Sequence, residues 1–292
     1  MKIAILGASG YIGKNLLSRI LENNSDEVVA ISQSAGSIPI TNSRLKKINL
    51  SVFDPKLKEA LKDCDTVYYL IHMMSQNKID YAVAESNAAE ALNSALVGSS
   101  VSRIIYLGGL GDDKDDLSKH LKSRHHTGDI LRQGKINVIE LRASMVIGRG
   151  GISYEIIVNL VSKLPFLTVP RWSETYTQPI GIKDAIEYLV ASKTLNTRKN
   201  LIVEIGGPEV LSYLELMRRY AKWKGMKRIF IRIPIIPIAV SAWWLNLFTP
   251  KNQAKVGRIM VESMANEMVV SNDYAKQIFP DINPKPLDQI FQ

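Results

Sequence analysis

Residues 2 to 21, KIAILGASGYIGKNLLSRIL, set three glycines between a short apolar run and a helical pattern. Lys2 to Leu6 reads as a strand, glycines stand at 7, 10 and 13, and Ile12, Leu16, Leu17 and Ile20 then fall on one helical stripe. A glycine pattern alone is a weak signal; between a strand and a helix it becomes specific. Gly7 permits the tight turn, Gly10 lets the backbone approach a pyrophosphate, and Gly13 lets the helix pack on the strand. The N–H groups left free at the helix start then receive the phosphates. This turn, with Gly7, Ser9, Gly10, Tyr11, Ile12 and Gly13, is read as a dinucleotide cradle.

The rhythm continues outward. EVVAIS (27 to 32) and LKKINL (45 to 50) read as strands, PKLKEALKDC (55 to 64) as a helix, and DTVYYLIH (65 to 72) as a strand. Its near-continuous apolar character suits a sheet covered on both faces. ESNAAEALNSALVGS (85 to 99) reads as a helix, SRIIYLGGLG (102 to 111) as a strand, LSKHLKSRHHTGDILR (117 to 132) as a helix and INVIELRASMVIG (136 to 148) as a strand. Strands and helices alternating at this length give a doubly wound, parallel α/β sheet of Rossmann type over residues 1–150. A smaller, mostly helical lobe is expected over 151–292, with residues 183–205 returning to the sheet.

Ligands of such sheets bind beyond the carboxyl ends of the strands. Those ends supply Ser32, Gln33 and Ser34, then Asn49 and Leu50, Ile71, His72 and Met73, Leu107, Gly108 and Gly109, and Arg142, Ala143 and Ser144. An acidic residue about 20 positions past the glycines would grip an adenosine ribose, but Ser32, Gln33 and Ser34 stand there instead. Nothing at that place repels a 2′-phosphate, and Arg44 is a candidate to contact one, so NADP is favoured over NAD.

Composition narrows the remaining classes. The 46% apolar and 22% charged contents are ordinary for a soluble protein, and the formal charge of +9 comes from scattered Lys and Arg without a basic run. Nucleic acid is therefore not an expected partner. The single cysteine, Cys64, excludes an internal disulfide and a thiolate zinc cluster, and its place before a strand suits a buried thiol. His125 and His126 are adjacent and point to different helix faces, so no metal site is expected. MKIAIL is too short for a signal peptide's apolar region, which gives a cytoplasmic expectation. The apolar stretch 229–248 is broken by Arg232, Pro234 and Pro237 before the roughly 20 residues of a membrane span. With AKVGRIMVESMANEM (254 to 268), it reads as two helices rich in aromatic and methionine residues. They would cover the core, line a cavity for a small or apolar substrate, or offer a peripheral membrane or protein-partner contact. NPKPLDQIFQ (283 to 292) reads as an extended tail.

GASGYIG, NAAEALNSA (87 to 95) and LRASMVIGRGG (141 to 151) together resemble the extended and atypical short-chain dehydrogenase/reductase superfamily. YYLIHMMS, IIYLGGLG, PRWSETYTQPIGIKDAIEYL and GGPEVLSYLELMRRYA are similar to its atypical branch, which is related to NmrA-like regulators and accessory complex subunits. The resemblance implies that Asn87 braces the region between the fourth and fifth strands. It also implies that His120 and Arg124 occupy the places of the superfamily's catalytic tyrosine and lysine. The serine's place falls on Gly108 or Gly109, so the usual set is absent. Arg171, Trp172, Thr177 and Gln178, with Pro179, match the substrate-side loop. Three readings stay open: an oxidoreductase using His120 and Arg124, a non-catalytic dinucleotide-sensing regulator or assembly factor, and a sugar-nucleotide epimerase or dehydratase. The last leans on the absent tyrosine.

Overall fold

A computed structural model describes residues 1–22, 25–74, 80–113, 115–232 and 254–291. Most of the apolar stretch 229–248 lies outside these. Among the described residues no helix is long and apolar enough to cross a membrane.

The centre is a seven-stranded parallel sheet. Its strands are β1 (Lys2–Leu6), β2 (Glu27–Ser32), β3 (Leu45–Asn49), β4 (Thr66–Tyr69), β5 (Arg103–Gly109) and β6 (Asn137–Ala143). Past them the chain forms short strands β7 (Val146–Ile147), β8 (Phe166–Val169), β9 (Tyr176–Thr177) and β10 (Ile180–Gly181). The seventh sheet strand, β11 (Leu201–Ile205), follows, and then β12 (Leu211–Ser212) and β13 (Ile229–Arg232). The spatial order β11-β6-β5-β4-β1-β2-β3 places the reversal of winding between β1 and β4. Leu6 pairs with Ile31 on one side and Tyr69 on the other, and Tyr69 pairs with Tyr106, so the carboxyl ends form one rim. A crevice opens at that reversal, where doubly wound sheets bind ligands.

Helices cover both faces. α1 (Tyr11–Glu22), α2 (Leu57–Leu61), α3 (Tyr81–Ala95) and α4 (Lys119–Gln133) lie between successive strands of the first six, β2 alone running to β3 through a short turn (Ala35–Ser37); α5 (Ile152–Lys163) follows β7, and α6 (Ile182–Ser192) leads into β11. Leu16, Leu17 and Ile20 of α1 pack with Ile186 and Leu189 of α6 under one face, and Ala88, Leu92 and Leu131 cover the other. Each leucine and isoleucine among them contributes about 1.5–3 kcal/mol by burial. Alternating side chains explain the run in β4, where Tyr68 joins one core and Tyr69 the other. Cys64 is buried in the second of these.

Among the described residues, the C-terminal part holds α7 (Tyr213–Trp223), α8 (Ala254–Ser263), α9 (Tyr274–Ile278) and α10 (Leu287–Ile290). The Ser212 hydroxyl caps α7 by accepting from the Glu215 N–H at 3.2 Å. The C-terminal residues are not an extended tail. Phe291 is buried against Tyr154, Tyr220 and Trp223, and the Leu287 N–H donates to Glu209 at 2.7 Å, which folds the intervening turn into α10.

Candidate functional site

The glycine turn is shaped by contacts that leave no room for a side chain. Gly7 has φ +83°, and a Cβ there would lie 2.6 Å from the Leu70 carbonyl oxygen. A Cβ on Gly13 would meet the Gly7 carbonyl oxygen at 2.4 Å, so glycine lets α1 close on β1. The Tyr11, Ile12 and Gly13 N–H groups precede the first helical bond, Lys14 N–H to Gly10, and mark the anion-receiving end of α1.

Beside the turn runs a groove of about 310 Å³ lined by Gly7, Ser9, Gly10, Ser32, Gln33, Ser34, Leu50 and Ile71 to Met73, with no carboxylate among its described residues. The Ser34 hydroxyl donates to Ser9 Oγ at 3.0 Å. The open approach at Gly10 and this polar wall fit the phosphates and adenosine end of a dinucleotide. Two expected contacts lie elsewhere. Asn49 accepts from the Gly36 N–H at 3.0 Å, bracing the chain after β2. Arg44 donates to the Leu21 and Asp26 carbonyls, both at 2.8 Å, and so is spent on the end of α1.

A second cavity, of about 250 Å³, adjoins the first. Tyr11, Ile12, Leu107, Gly108, Gly109, His120, Arg124, Ala143 and Ser144 form its sheet side, and Tyr213, Met260, Ser263, Met264 and Met268 its C-terminal side. His72 lines both spaces. Gly108 and Gly109 are the last residues of β5, in register with Arg142 and Ala143. A Cβ on Gly108 would lie 2.9 Å from Glu140 Oε1, and one on Gly109 2.9 Å from Leu121 Cδ2. The close packing of α4 and the buried Glu140 explain why no serine stands there.

His120 and Arg124 lie on the buried face of α4, not on a wet one. Arg124 donates to the carbonyls of Ile71 and Leu107, lies 3.8 Å from Glu85, and places its guanidinium 4.8 Å from the Tyr106 ring centre. Those donors tie the ends of β4 and β5 together. His120 Nε2 is 3.1 Å from His72 Nε2, and its Nδ1 is 3.0 Å from Ser263 Oγ. His72 Nδ1 is 2.6 Å from Glu85 Oε1, whose other oxygen accepts from Ser123 at 2.5 Å. Burial pulls the Glu85 carboxyl up, but His72, Arg124 and Ser123 together hold it at about 2. Burial, then Arg124, pushes His72 below its ordinary value against the pull of Glu85. Burial, with His72 and Arg124 alongside, takes His120 down to about 3. At neutral pH the cluster holds an ionised carboxylate, two neutral imidazoles and a guanidinium.

Sequence reasoning missed Glu85 and Ser263. Each is a polar residue on a buried helical stripe: Glu85 among Tyr81, Ala84, Ala88 and Leu92, and Ser263 four past Ile259. That misplacement was the available signal. Asn87, by contrast, is exposed on α3, because a step of two residues turns it away from the sheet. Arg142 points to the face opposite Ala143 and binds Glu140 at 2.8 Å and Asp113 at 3.5 Å. His125 is held by the Gly109 carbonyl at 2.9 Å and by Asp113, and His126 is exposed. The substrate-side candidates stand behind the cavity wall. Arg171 is exposed, Trp172 meets Tyr213 edge-on, Thr177 is fully buried in the β9–β12 pairing, and Gln178 bridges the Gly207 carbonyl and the Val270 N–H. Pro179 accepts from the Gly207 N–H at 3.0 Å. Among the described residues no cluster of His, Cys, Asp and Glu is arranged to hold a metal.

The chain's overall shape is similar to a nucleoside-diphosphate-sugar epimerase from Staphylococcus aureus (TM-score 0.77, 17% identity, 99% of this chain and 98% of that one). It is also similar to UDP-glucuronic acid 4-epimerase from Bacillus cereus in complex with NAD (TM-score 0.69, 21% identity, 96% and 100%). A third is UDP-glucose 4-epimerase from Thermotoga maritima (TM-score 0.73, 12% identity, 99% and 96%). At such identities these likenesses show the fold alone. A curated relative, N-acetyl-gamma-glutamyl-phosphate reductase from Caldicellulosiruptor bescii, is 26% identical over 162 residues, 52% of this chain and 43% of that protein. The chain thus spans less than half of that relative's length. Residues 7–158, which contain the glycine turn, both histidines of the cluster and Arg124, match the family described as NAD(P)H-binding, and the chain belongs to that family.

Proposed function

We propose that the protein is an oxidoreductase of atypical short-chain dehydrogenase/reductase type that uses NADP(H) in preference to NAD(H) and acts on a small, apolar carbonyl or quinone-like substrate. The observation that carries this reading is the second cavity, which meets the dinucleotide groove at His72 and holds His120 in its wall. Five methionines, Met74, Met145, Met260, Met264 and Met268, give it an adaptable apolar surface. Its 250 Å³ lies below the roughly 300–1,000 Å³ of sites for drug-sized ligands, which suits a small molecule. The bound dinucleotide would supply or accept hydride at its nicotinamide end. On the protein side, the start of α1 receives the phosphates, Ser32 and Ser34 offer hydroxyls to the ribose, and the methionine wall excludes water. His120 serves as the proton-exchanging group, and Arg124 fixes the strand ends around it.

Binding isotherms for NADPH and NADH, followed by turnover against a panel of small aldehydes, ketones and quinones, test the reading. NADPH is expected to bind at least tenfold more tightly, about 1.4 kcal/mol. A tenfold preference for NADH refutes the cofactor choice, and tight binding without turnover of any panel member refutes the oxidoreductase.

A second reading, a dinucleotide-sensing regulator or assembly module, draws on the contacts between the turn after α8 and the residues leading into α4. Asn266 accepts from the Ser118 N–H at 2.8 Å and donates to the Asp116 carbonyl at 3.1 Å, so the helix carrying His120 is tied to the C-terminal part. Cofactor-dependent co-purification of a partner, with an inert panel, would establish it. A sugar-nucleotide epimerase is disfavoured: among the described lining residues Arg124 is the only arginine or lysine, and it is engaged with carbonyl oxygens.

A further inference from the structure

Glu85, His72, His120 and Ser263 make an unbroken series of contacts at 2.6, 3.1 and 3.0 Å. They come from α3, the chain after β4, α4 and α8. The ionised Glu85 fixes a proton on His72 Nδ1. Two facing Nε2 atoms at 3.1 Å need one proton between them, since each imidazole nitrogen is either donor or acceptor. Two assignments follow. In the first, His72 is an imidazolium donating from both nitrogens. His120 then accepts at Nε2 and donates from Nδ1 to Ser263 Oγ, and the Ser263 hydrogen turns to the Ile259 carbonyl at 3.1 Å or to a molecule in the cavity. In the second, His72 is neutral, His120 donates from Nε2, and its Nδ1 accepts from the Ser263 hydroxyl. Every heavy-atom contact is kept in both, and the two differ by one proton.

We propose that this series is a proton relay to the substrate oxygen, with Ser263 as its terminal catalytic hydroxyl, supplying from α8 the hydroxyl that cannot stand on β5. The proposal rests on the oxidoreductase reading. As hydride reaches the carbonyl carbon, the C=O π pair moves to oxygen, which takes the Ser263 hydroxyl proton. Ser263 Oγ takes the proton of His120 Nδ1, and His120 Nε2 takes that of His72 Nε2. The first assignment has then become the second, and the substrate has gained a hydride and a proton to become an alcohol. A solvent proton recharges His72, whose side chain is 31% exposed while that of Glu85 is only 2% exposed. Alcohol oxidation runs the same steps backward. Around the relay, Glu85 of α3 favours the imidazolium and Arg124 of α4 opposes it. Tyr69 of β4 and Tyr106 of β5 are phenols that burial pushes well above neutral, and α8 brings Ser263 while its Glu262 is exposed.

Long-range ¹H–¹⁵N spectra of the histidine rings in the free protein test the relay without substrate. At pH 7.5 the expected tautomers are Nδ1–H for His72 and Nε2–H for His120. Acidification should move the His120 proton to Nδ1 as His72 gains its second, and Glu85→Gln should shift that event to lower pH. With an active substrate, Ser263→Ala should lower kcat about 10²–10⁴-fold at unchanged NADPH Kd, and Ser263→Thr should recover the rate. An Nδ1–H tautomer of His120 beside a neutral His72, which leaves no proton between the facing Nε2 atoms, or a titration indifferent to Glu85→Gln, overturns the relay. Ser263→Ala turning over at the original rate overturns its terminal role. A wholly inert panel removes the substrate step and the proposal with it. That failure of the oxidoreductase reading is told apart from failure of the relay by the ring spectra.

Discussion

Acidification from pH 7.5 to 5.0 is expected to remove about 2 kcal/mol of stability through His120 alone. In the folded protein burial, with His72 and Arg124 beside it, holds this imidazole at about 3, against 6.5 for an ordinary histidine. The folded value lies below the unfolded one, so the contribution is complete above pH 6.5 and is lost as the pH falls toward 3. Each unit between 6.5 and the working pH costs about 1.4 kcal/mol, and 1.5 units give about 2 kcal/mol at pH 5. His120 is only 9% exposed, so solvent screening takes little from this figure. Urea unfolding of the protein and of His120→Gln at both pH values, followed by tryptophan fluorescence and far-ultraviolet circular dichroism, isolates the effect. Titrating groups outside the Glu85, His72 and His120 cluster cancel in the comparison, and the substituted protein should lose about 2 kcal/mol less on acidification. Equal losses in the two proteins would refute a buried, neutral His120.

Three further outcomes are expected. Gly13→Ala forces a Cβ against the Gly7 carbonyl, so α1 must move off β1 and NADPH binding by isothermal titration should be lost. Gly109→Ser, which puts a serine at one of the two places matching the superfamily's serine, should destabilise by about 1–3 kcal/mol through overpacking against Leu121, measured as a lower Tm, and should not raise turnover. Phe291→Ala empties a 3%-exposed aromatic site and should cost about 3–5 kcal/mol in urea unfolding; an unchanged midpoint would show that the C-terminal residues are unpacked.

The sheet and its rim were legible because their signals are local. Glycines at 7, 10 and 13, the apolar runs and the helical stripes each act within a few residues of themselves, and the serines after β2 follow in sequence from the strand before them. The His120–Arg124 spacing also put the pair on one helical face. What escaped depends on long-range approach. The reason for glycine at 108 and 109 was hidden, because the sequence does not show that α4 and Glu140 crowd β5. Asn87 looked like the inward residue of α3, whereas Glu85 is the one that meets His72 and Ser123. Ser263 lies 143 positions from His120 and meets it only through tertiary folding. Arg44 and Arg142 carried the right charge for a phosphate, but carbonyls and carboxylates nearer to hand already engage them.

His72 stands where the two hollows meet, with its ring parallel to that of His120 within 8°. A molecule stretched from one hollow to the other passes the edge of this ring and changes the magnetic field at its protons. The side chain is therefore a built-in occupancy gauge. A ligand confined to the adenosine end would disturb this resonance and leave the Met260 and Met264 methyls in place, while one reaching the far wall would move all three. Fragment libraries can be sorted by that difference before any activity is known.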